Sequence, residues 1–171
     1  LAAGNTVVVK PSENTSASSV RLAQLATEVG FLEGAFTVVL GTGAEAGAAL
    51  VHHPDVAKVA FTGSVPTGRV IAGIAADRVI PATLELGGKS ANIVFADADL
   101  DAAVAGAVQG FTANAGQVCS AGTRLLVQRD VHDEVVTRLV DVVSRIRVGH
   151  DMGPLITRDQ FEKVQEYSGL I

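Results

Sequence analysis

The sequence predicts an α/β fold, a parallel sheet with helices on its faces. Three observations carry this. Short β-branched apolar runs alternate with stretches of helical period. The runs are continuously apolar, the pattern of strands covered on both faces. The first four runs stop at glycine or proline, the punctuation expected between strand and helix.

Taken in order, Thr6-Val7-Val8-Val9-Lys10 reads as a buried strand ended by Pro11. Ser16 or Ser18 caps a helix to about Val29, stopped by Gly30. Phe36 to Leu40 is the second strand, and Ala44 to His53 a short Ala-rich helix before Pro54. Val56 to Thr62 is the third strand, ending at Gly63-Ser64, and a helix from about Thr67 to Ala76 follows. Ala82 to Leu86 is the fourth strand, closed by Gly87-Gly88. This βαβαβαβ order specifies a parallel sheet, in which ligands bind beyond the carboxyl ends of the strands. Beyond Gly88 come a strand Ala91–Phe95, a helix begun by Asp97, Asp99 and Asp101 and running to about Ala113, a strand Arg124–Gln128 and a long helix Val131–Arg147. Carboxylates at a helix start favour its dipole. The change of texture predicts a domain boundary near Gly87-Gly88, dividing the chain into residues 1–87 and 88–171.

Composition narrows the function. The 171 residues are 48% hydrophobic, enough for a core, and carry a net charge of −5. An acidic chain lacks the basic face that nucleic acid requires. A 4% aromatic content without Trp makes base- or sugar-stacking platforms a poor expectation. One Cys excludes an intrachain disulfide and a cysteine zinc cluster, and no metal site is expected. No apolar run reaches membrane-spanning length and no signal pattern opens the chain, so a cytoplasmic protein is expected. The chain opens Leu1-Ala2-Ala3-Gly4 without Met, and neither end has the look of a natural terminus, so a piece of a longer protein is expected.

Several motifs carry possible chemistry. Gly41-Thr42-Gly43-Ala44-Glu45-Ala46-Gly47 is one residue longer than the dinucleotide fingerprint G-x-G-x-x-G. It is either a tight turn with a packing glycine or an anion cradle at a helix start. Gly63-Ser64 offers a similar pocket. Gly88-Lys89-Ser90 lacks the leading glycine of a P-loop. Lys10 and Glu13 read from spacing as a solvated ion pair, and His52-His53 as surface histidines. Cys119, in Gly116-Gln117-Val118-Cys119-Ser120-Ala121-Gly122, is either a small buried hydrophobe or a nucleophile. Small neighbours leave room for a substrate, and a helix N-terminus there would favour thiolate. Glu85 sits between Leu84 and Leu86. It is either an exposed glutamate with an arginine partner or a partly desolvated general base.

In their order these segments resemble the aldehyde dehydrogenase superfamily. The resemblance rests on Gly4 to Glu13, Phe61-Thr62-Gly63-Ser64, Leu84 to Ser90, Gly116-Gln117-Val118-Cys119 and Gly153-Pro154-Leu155. Glu-Leu-Gly-Gly and Gly-Gln-Val-Cys, with Glu85 and Cys119 34 residues apart, form a specific pair. The resemblance implies a Rossmann-like nucleotide domain, here its C-terminal part, continuing into the start of a second α/β catalytic domain. It implies oxidation of an aldehyde to a carboxylic acid with NAD+, NADP being less favoured. Cys119 would be the nucleophile, with its own N–H on the oxyanion, and Glu85 the base that activates water. Lys10 and Glu13 would hold the adenosine ribose, Gly63 and Ser64 the pyrophosphate, Leu86 the nicotinamide, with Gly43 near the adenine and Ser12 among the cofactor-binding residues. The Glu13 carboxylate would repel a 2′-phosphate. A homo-oligomer, dimer or tetramer, is implied for the complete protein.

The pattern also departs from the family. Members are much longer, and the oxyanion-hole Asn and the Glu that holds the nicotinamide ribose find no counterpart here. The segment Val148 to Pro154 is shorter than usual. Losing one oxyanion donor alone costs on the order of 10²–10³ in rate, so 171 residues alone are expected to be inactive. Two other readings remain: a CoA-acylating relative, against which Glu85 argues, and a non-catalytic nucleotide-binding or structural remnant, against which intact Cys119 and Glu85 argue. The aldehyde itself is not specified by these residues.

Overall fold

A computed structural model describes residues 1–169, which divide into two compact units, one from Leu1 to Glu85 and one beginning at Leu86. In the first unit the order is β1 (Val7–Val9), α1 (Ala17–Glu28), β2 (Phe36–Val38), a π-turn at Gly43–Gly47 leading into α2 (Ala48–His52), β3 (Val59–Gly63), α3 (Val65–Asp77) and β4 (Ala82–Leu86), the last strand reaching the boundary. The second unit holds β5 (Ala91–Val94), α4 (Leu100–Thr112), a short 3₁₀ segment at Ala113–Gly116, β6 (Arg124–Val127), α5 (His132–Val143) and α6 (Arg158–Ser168).

The α/β class is as expected. β1 and β2 are parallel, with Val8 opposite Thr37, and β5 and β6 are parallel, with Ile93 opposite Leu126. β3 neighbours β4. The four N-terminal strands stand as two pairs among the described residues, where continuous apolar runs suggested one sheet buried on both faces. The strands are covered on one face. Val94, Leu125 and Val127 pack with Val104, Val135 and Leu139 of α4 and α5, while Ile93 and Leu126 point outward at 57% and 50% exposure. Val8 is likewise exposed between half-buried Val7 and Val9. The first unit's core joins Val51, Val59 and Ile71 with Phe61, Ile74, Ile80 and Leu84.

Helix ends follow the local chemistry. α1 begins after Ser16 and stops at Gly30 in the left-handed region, φ 85°. Asp99 caps α4, its Oδ1 accepting from the N–H groups of Asp101 and Ala102 at 3.1 Å. The helix expected to Arg147 ends at Val143. Its last turn tightens: Arg145 N–H and Ile146 N–H donate to carbonyls three residues back, Val142 and Val143. α6 was not anticipated, although Thr157 caps it by accepting from Gln160 N–H at 3.2 Å. No helix among the described residues is long and apolar enough to cross a membrane.

Candidate functional site

The first unit carries two settings at strand ends. The parallel pairing of β1 and β2 sets the exits of both strands side by side, continued by Val39 N–H donating to Val9 O at 2.9 Å. There Lys10 Nζ donates to Pro11 O at 2.7 Å and to Gly41 O at 3.0 Å, and lies 3.7 Å from Glu13 Oε2. The Lys10 side chain is only 14% exposed, whereas that of Glu13 is 56% exposed. Spacing suggested a solvated pair; instead the lysine is a half-buried tie between two loops that holds the carboxylate at their edge. Ser12 closes the same turn, its Oγ accepting from Asn14 N–H at 3.3 Å.

The Gly41–Gly47 loop resolves as a capped turn. Thr42 Oγ1 accepts from Glu45 N–H at 3.2 Å and donates to Glu45 Oε2 at 3.0 Å. Gly47 N–H reaches back five residues to Thr42 O at 3.2 Å. The wider hydrogen-bonded ring coincides with the extra residue in the glycine spacing. Glu45 puts a negative charge on this helix start, which makes it a poor anion cradle. A Cβ on Gly43 would meet nothing within 4 Å, so its surface is open to a neutral group.

The second setting follows β3. A Cβ on Gly63 would sit 2.5 Å from the tip of the Phe61 ring, so any larger residue there requires the ring to move. Ser64 then caps α3, accepting from Thr67 N–H at 3.3 Å, and the first turn contains no acidic residue. α3 is 13 residues long, and its N-terminus bears uncompensated N–H groups and positive dipole. No hydrogen bond or ion pair among the described residues joins this setting to Lys10 or Glu13. Glu85, on β4, is exposed and makes neither hydrogen bond nor ion pair among the described residues. The desolvation expected from its leucine neighbours is absent here, because its side chain leaves the face on which Leu84 and half-buried Leu86 lie.

In the second unit the chain after Leu86 comes against the cysteine loop. Ser90 N–H donates to Ala121 O and Arg124 N–H returns to Ser90 O, both at 3.2 Å. Arg124 Nε donates to Lys89 O at 2.8 Å. A Cβ on Gly88 would stand 3.4 Å from Cys119 O. Gly-Gly-Lys-Ser and the cysteine segment therefore form one layer. Cys119 is exposed, not a buried hydrophobe. Its N–H donates no hydrogen bond among the described residues, while the next turn closes from Ala121 N–H to Val118 O at 3.1 Å.

No helix begins at Cys119, so no helix N-terminus stands beside its thiol. The residue follows the end of α4 and a left-handed turn, Asn114 (φ 52°), Ala115 (φ 54°) and Gly116 (φ 74°), and leads into β6. Consecutive left-handed residues cannot propagate a right-handed helix. The side-chain amides of Asn114 and Gln117 close this turn, each donating to the other residue's backbone carbonyl, a pairing that no motif in the sequence signals. Among the described residues no group of three or more His, Cys, Asp or Glu side chains could hold a metal ion.

Comparison with known proteins gives a consistent answer. The model of the aldehyde dehydrogenase family matches residues 1–169. The chain is 49% identical to a betaine aldehyde dehydrogenase of Mesorhizobium japonicum over 99% of its own length and 36% of that protein. It is 47% identical to a hydroxyisobutyraldehyde dehydrogenase of Mycolicibacterium austroafricanum, over 98% of this chain and 34% of that one. A solved NAD+ complex of an aldehyde dehydrogenase from Bacillus cereus superposes with a TM-score of 0.90 at 46% identity, covering 95% of this chain and 34% of the other. The chain thus spans about a third of the length of the curated relatives it matches.

Proposed function

The chain belongs to the aldehyde dehydrogenase family, and from that premise we propose that it contributes nucleophile, base and much of the cofactor platform to oxidation of an aldehyde to its acid. The observation that carries this reading is the exposed Cys119 whose N–H is unspent, laid against the Gly-Gly-Lys-Ser segment. A thiolate on Cys119 Sγ attacks the aldehyde carbon; the C–S bond forms and the carbonyl electron pair moves to oxygen. The Cys119 N–H donates to that oxyanion in the resulting thiohemiacetal. Bound NAD+ supplies the acceptor for the hydride. As the C–H bond breaks and its electron pair leaves with the hydride, collapse of the oxyanion restores a C=O bond as a thioester on Cys119. Glu85 takes a proton from water, the water oxygen adds to the thioester carbon, and Sγ departs as thiolate.

The residues present fit the cofactor. The acid-free, serine-capped start of α3 suits a diphosphate at Gly63 and Ser64. Lys10, Ser12 and Glu13 suit a ribose diol, and the Glu13 charge favours NAD over NADP. Gly43 leaves open surface for adenine, and half-buried Leu86 suits the nicotinamide. On this reading residues 1–87 belong to the NAD-binding domain and residues 88–171 to the catalytic domain of a homo-oligomer. Residues 1–171 alone are expected to turn nothing over.

The test is NADH formation from an aldehyde, read beside the intact mass of the purified protein. A mass above 17.5 kDa with turnover abolished by Cys119→Ser supports the proposal. A single stoichiometric release of NADH by Glu85→Gln, without steady turnover, supports the role of the base. Full activity in Cys119→Ser refutes the mechanism, and turnover by a 17.5 kDa molecule refutes the expected inactivity.

A further inference from the structure

We infer that the Gln117 side chain is a positioning strut, tying the left-handed turn before Cys119 to the backbone of Ile156; the inference rests on the reading of Cys119 as nucleophile. α4 ends at Thr112, and two residues later the chain turns left-handed over Asn114, Ala115 and Gly116. That conformation is unfavourable for alanine and persists only where its surroundings impose it.

Here they do. Gln117 N–H donates to Asn114 O at 3.1 Å, and Gln117 Nε2 donates to the same oxygen at 2.9 Å. Asn114 Nδ2 returns a hydrogen bond to Gln117 O at 3.1 Å. Gln117 Oε1 accepts from Ile156 N–H at 2.9 Å, 39 residues along the chain. Both ends of one carboxamide are thus engaged, and exchanging its O and N would set donor against donor and acceptor against acceptor. A Cβ on Gly116 would stand 3.1 Å from Phe111 O, which packs the turn against the end of α4. Cys119 lies two residues beyond this clamp, and the direction of its exposed thiol is inherited from the backbone that Gln117 holds.

Cys119 is the single cysteine of these 171 residues, and alkylation is followed by mass spectrometry of the peptide that carries it. Two quantities are measured in wild type, Gln117→Ala and Gln117→Glu: hydrogen exchange at Ile156 N–H, and iodoacetamide alkylation at the high-pH plateau against a free peptide spanning Gly116–Gly122. In Gln117→Ala, Ile156 exchange is expected to quicken about fivefold as one net hydrogen bond is lost. The Cys119 rate is expected to move about threefold or more toward the peptide value, again the scale of one such bond. Gln117→Glu separates the two functions, because a carboxylate still accepts from Ile156 N–H but cannot donate to Asn114 O. Ile156 should stay protected while the Cys119 rate still moves. A residue that merely stabilised the fold would shift both readouts together in both variants.

Unchanged Ile156 exchange in Gln117→Ala overturns the inference. So does a wild-type thiol that already reacts at the peptide rate, or one whose rate Gln117→Ala and Gln117→Glu leave alone. Should Gln117→Ala unfold, the nearly isosteric Gln117→Glu decides. If instead Cys119→Ser retains aldehyde oxidation, the nucleophile reading fails while the strut stands on its own two readouts.

Discussion

Replacing Val79 with glycine should make this protein more stable. α1 and α3 end in the same motif. After α1, Gly30 N–H donates to Thr27 O and Phe31 N–H to Ala26 O; after α3, Val79 N–H donates to Ala76 O and Ile80 N–H to Ala75 O. The residue just past the cap is left-handed in both, but it is Gly30 (φ 85°) in one and Val79 (φ 52°) in the other. The left-handed region costs an L residue roughly 1–2 kcal/mol, and a β-branched side chain stands at the upper end. Val79 is 89% exposed, so its removal forfeits almost no buried surface. Against the relief stands the extra freedom of glycine in the unfolded chain, about 0.4–1 kcal/mol. The balance is a gain of about 0.5–1 kcal/mol. Urea unfolding followed by far-UV ellipticity, with amide exchange of α3 as the local readout, measures it. Val79→Ala is the control, since it keeps the left-handed penalty without the branched side chain. A Val79→Gly protein no more stable than wild type would refute the reasoning, and one less stable would mean that the valine makes a contact this geometry does not contain.

Arg78 spans Val51 O at 2.7 Å, Pro54 O at 3.1 Å and Val56 O at 2.8 Å, so Arg78→Met should destabilise the first unit by about 2–4 kcal/mol in the same assay, and Arg78→Lys by less. Glu13→Ser removes the carboxylate beside Lys10 and should raise the activity with NADP relative to that with NAD; a variant that gains no NADP activity counts against the ribose assignment. Arg147 side-chain and backbone donors, then His150, hold the Asp151 carboxyl at about 2, below its ordinary 3.8. The lowered folded value means that its contribution is complete above pH 3.8 and is lost as pH falls toward 2, so Asp151→Asn should flatten that part of an acid unfolding curve. Val65→Asp adds a carboxylate to the first turn of α3, which should leave helix stability unchanged or improved while weakening NAD+ binding about tenfold by calorimetry, a cost of about 1.4 kcal/mol.

Most of the fold was readable because the elements announce their ends chemically. Ala82–Leu86 was placed to the residue, bounded by Pro81 and Gly87. Asp99 marked the start of α4 as a side chain that caps. What escaped had weaker local signals. α6 has the Thr157-x-x-Gln160 pattern of a cap but only a sparse apolar face, so its period did not stand out. The strands read as buried on both faces because β-branched runs suit either case, and sequence does not count how many neighbours a strand has. The shortening of α5 turns on two hydrogen bonds in its last turn, below the reach of a hydrophobic pattern.

The site divides along the same line. Its residue types were visible as motifs, but their electrostatic differences lay in capping contacts that motifs do not encode. Gly41–Gly47 and Gly63–Ser64 look alike as glycine-bearing exits from strands. In the structure Glu45 fills the first helix start with its own carboxylate, while the second presents a serine cap and no acid. A helix of more than three turns with a free positive end attracts a diphosphate; one already neutralised from within does not. The same logic applies at Cys119. A helix dipole was the obvious means of favouring a thiolate, and it is absent. What the chain supplies there is an unspent N–H and a backbone forced through a left-handed turn by two amide side chains. The investment is in direction, so substitutions at Asn114 and Gln117 should alter the presentation of the thiol.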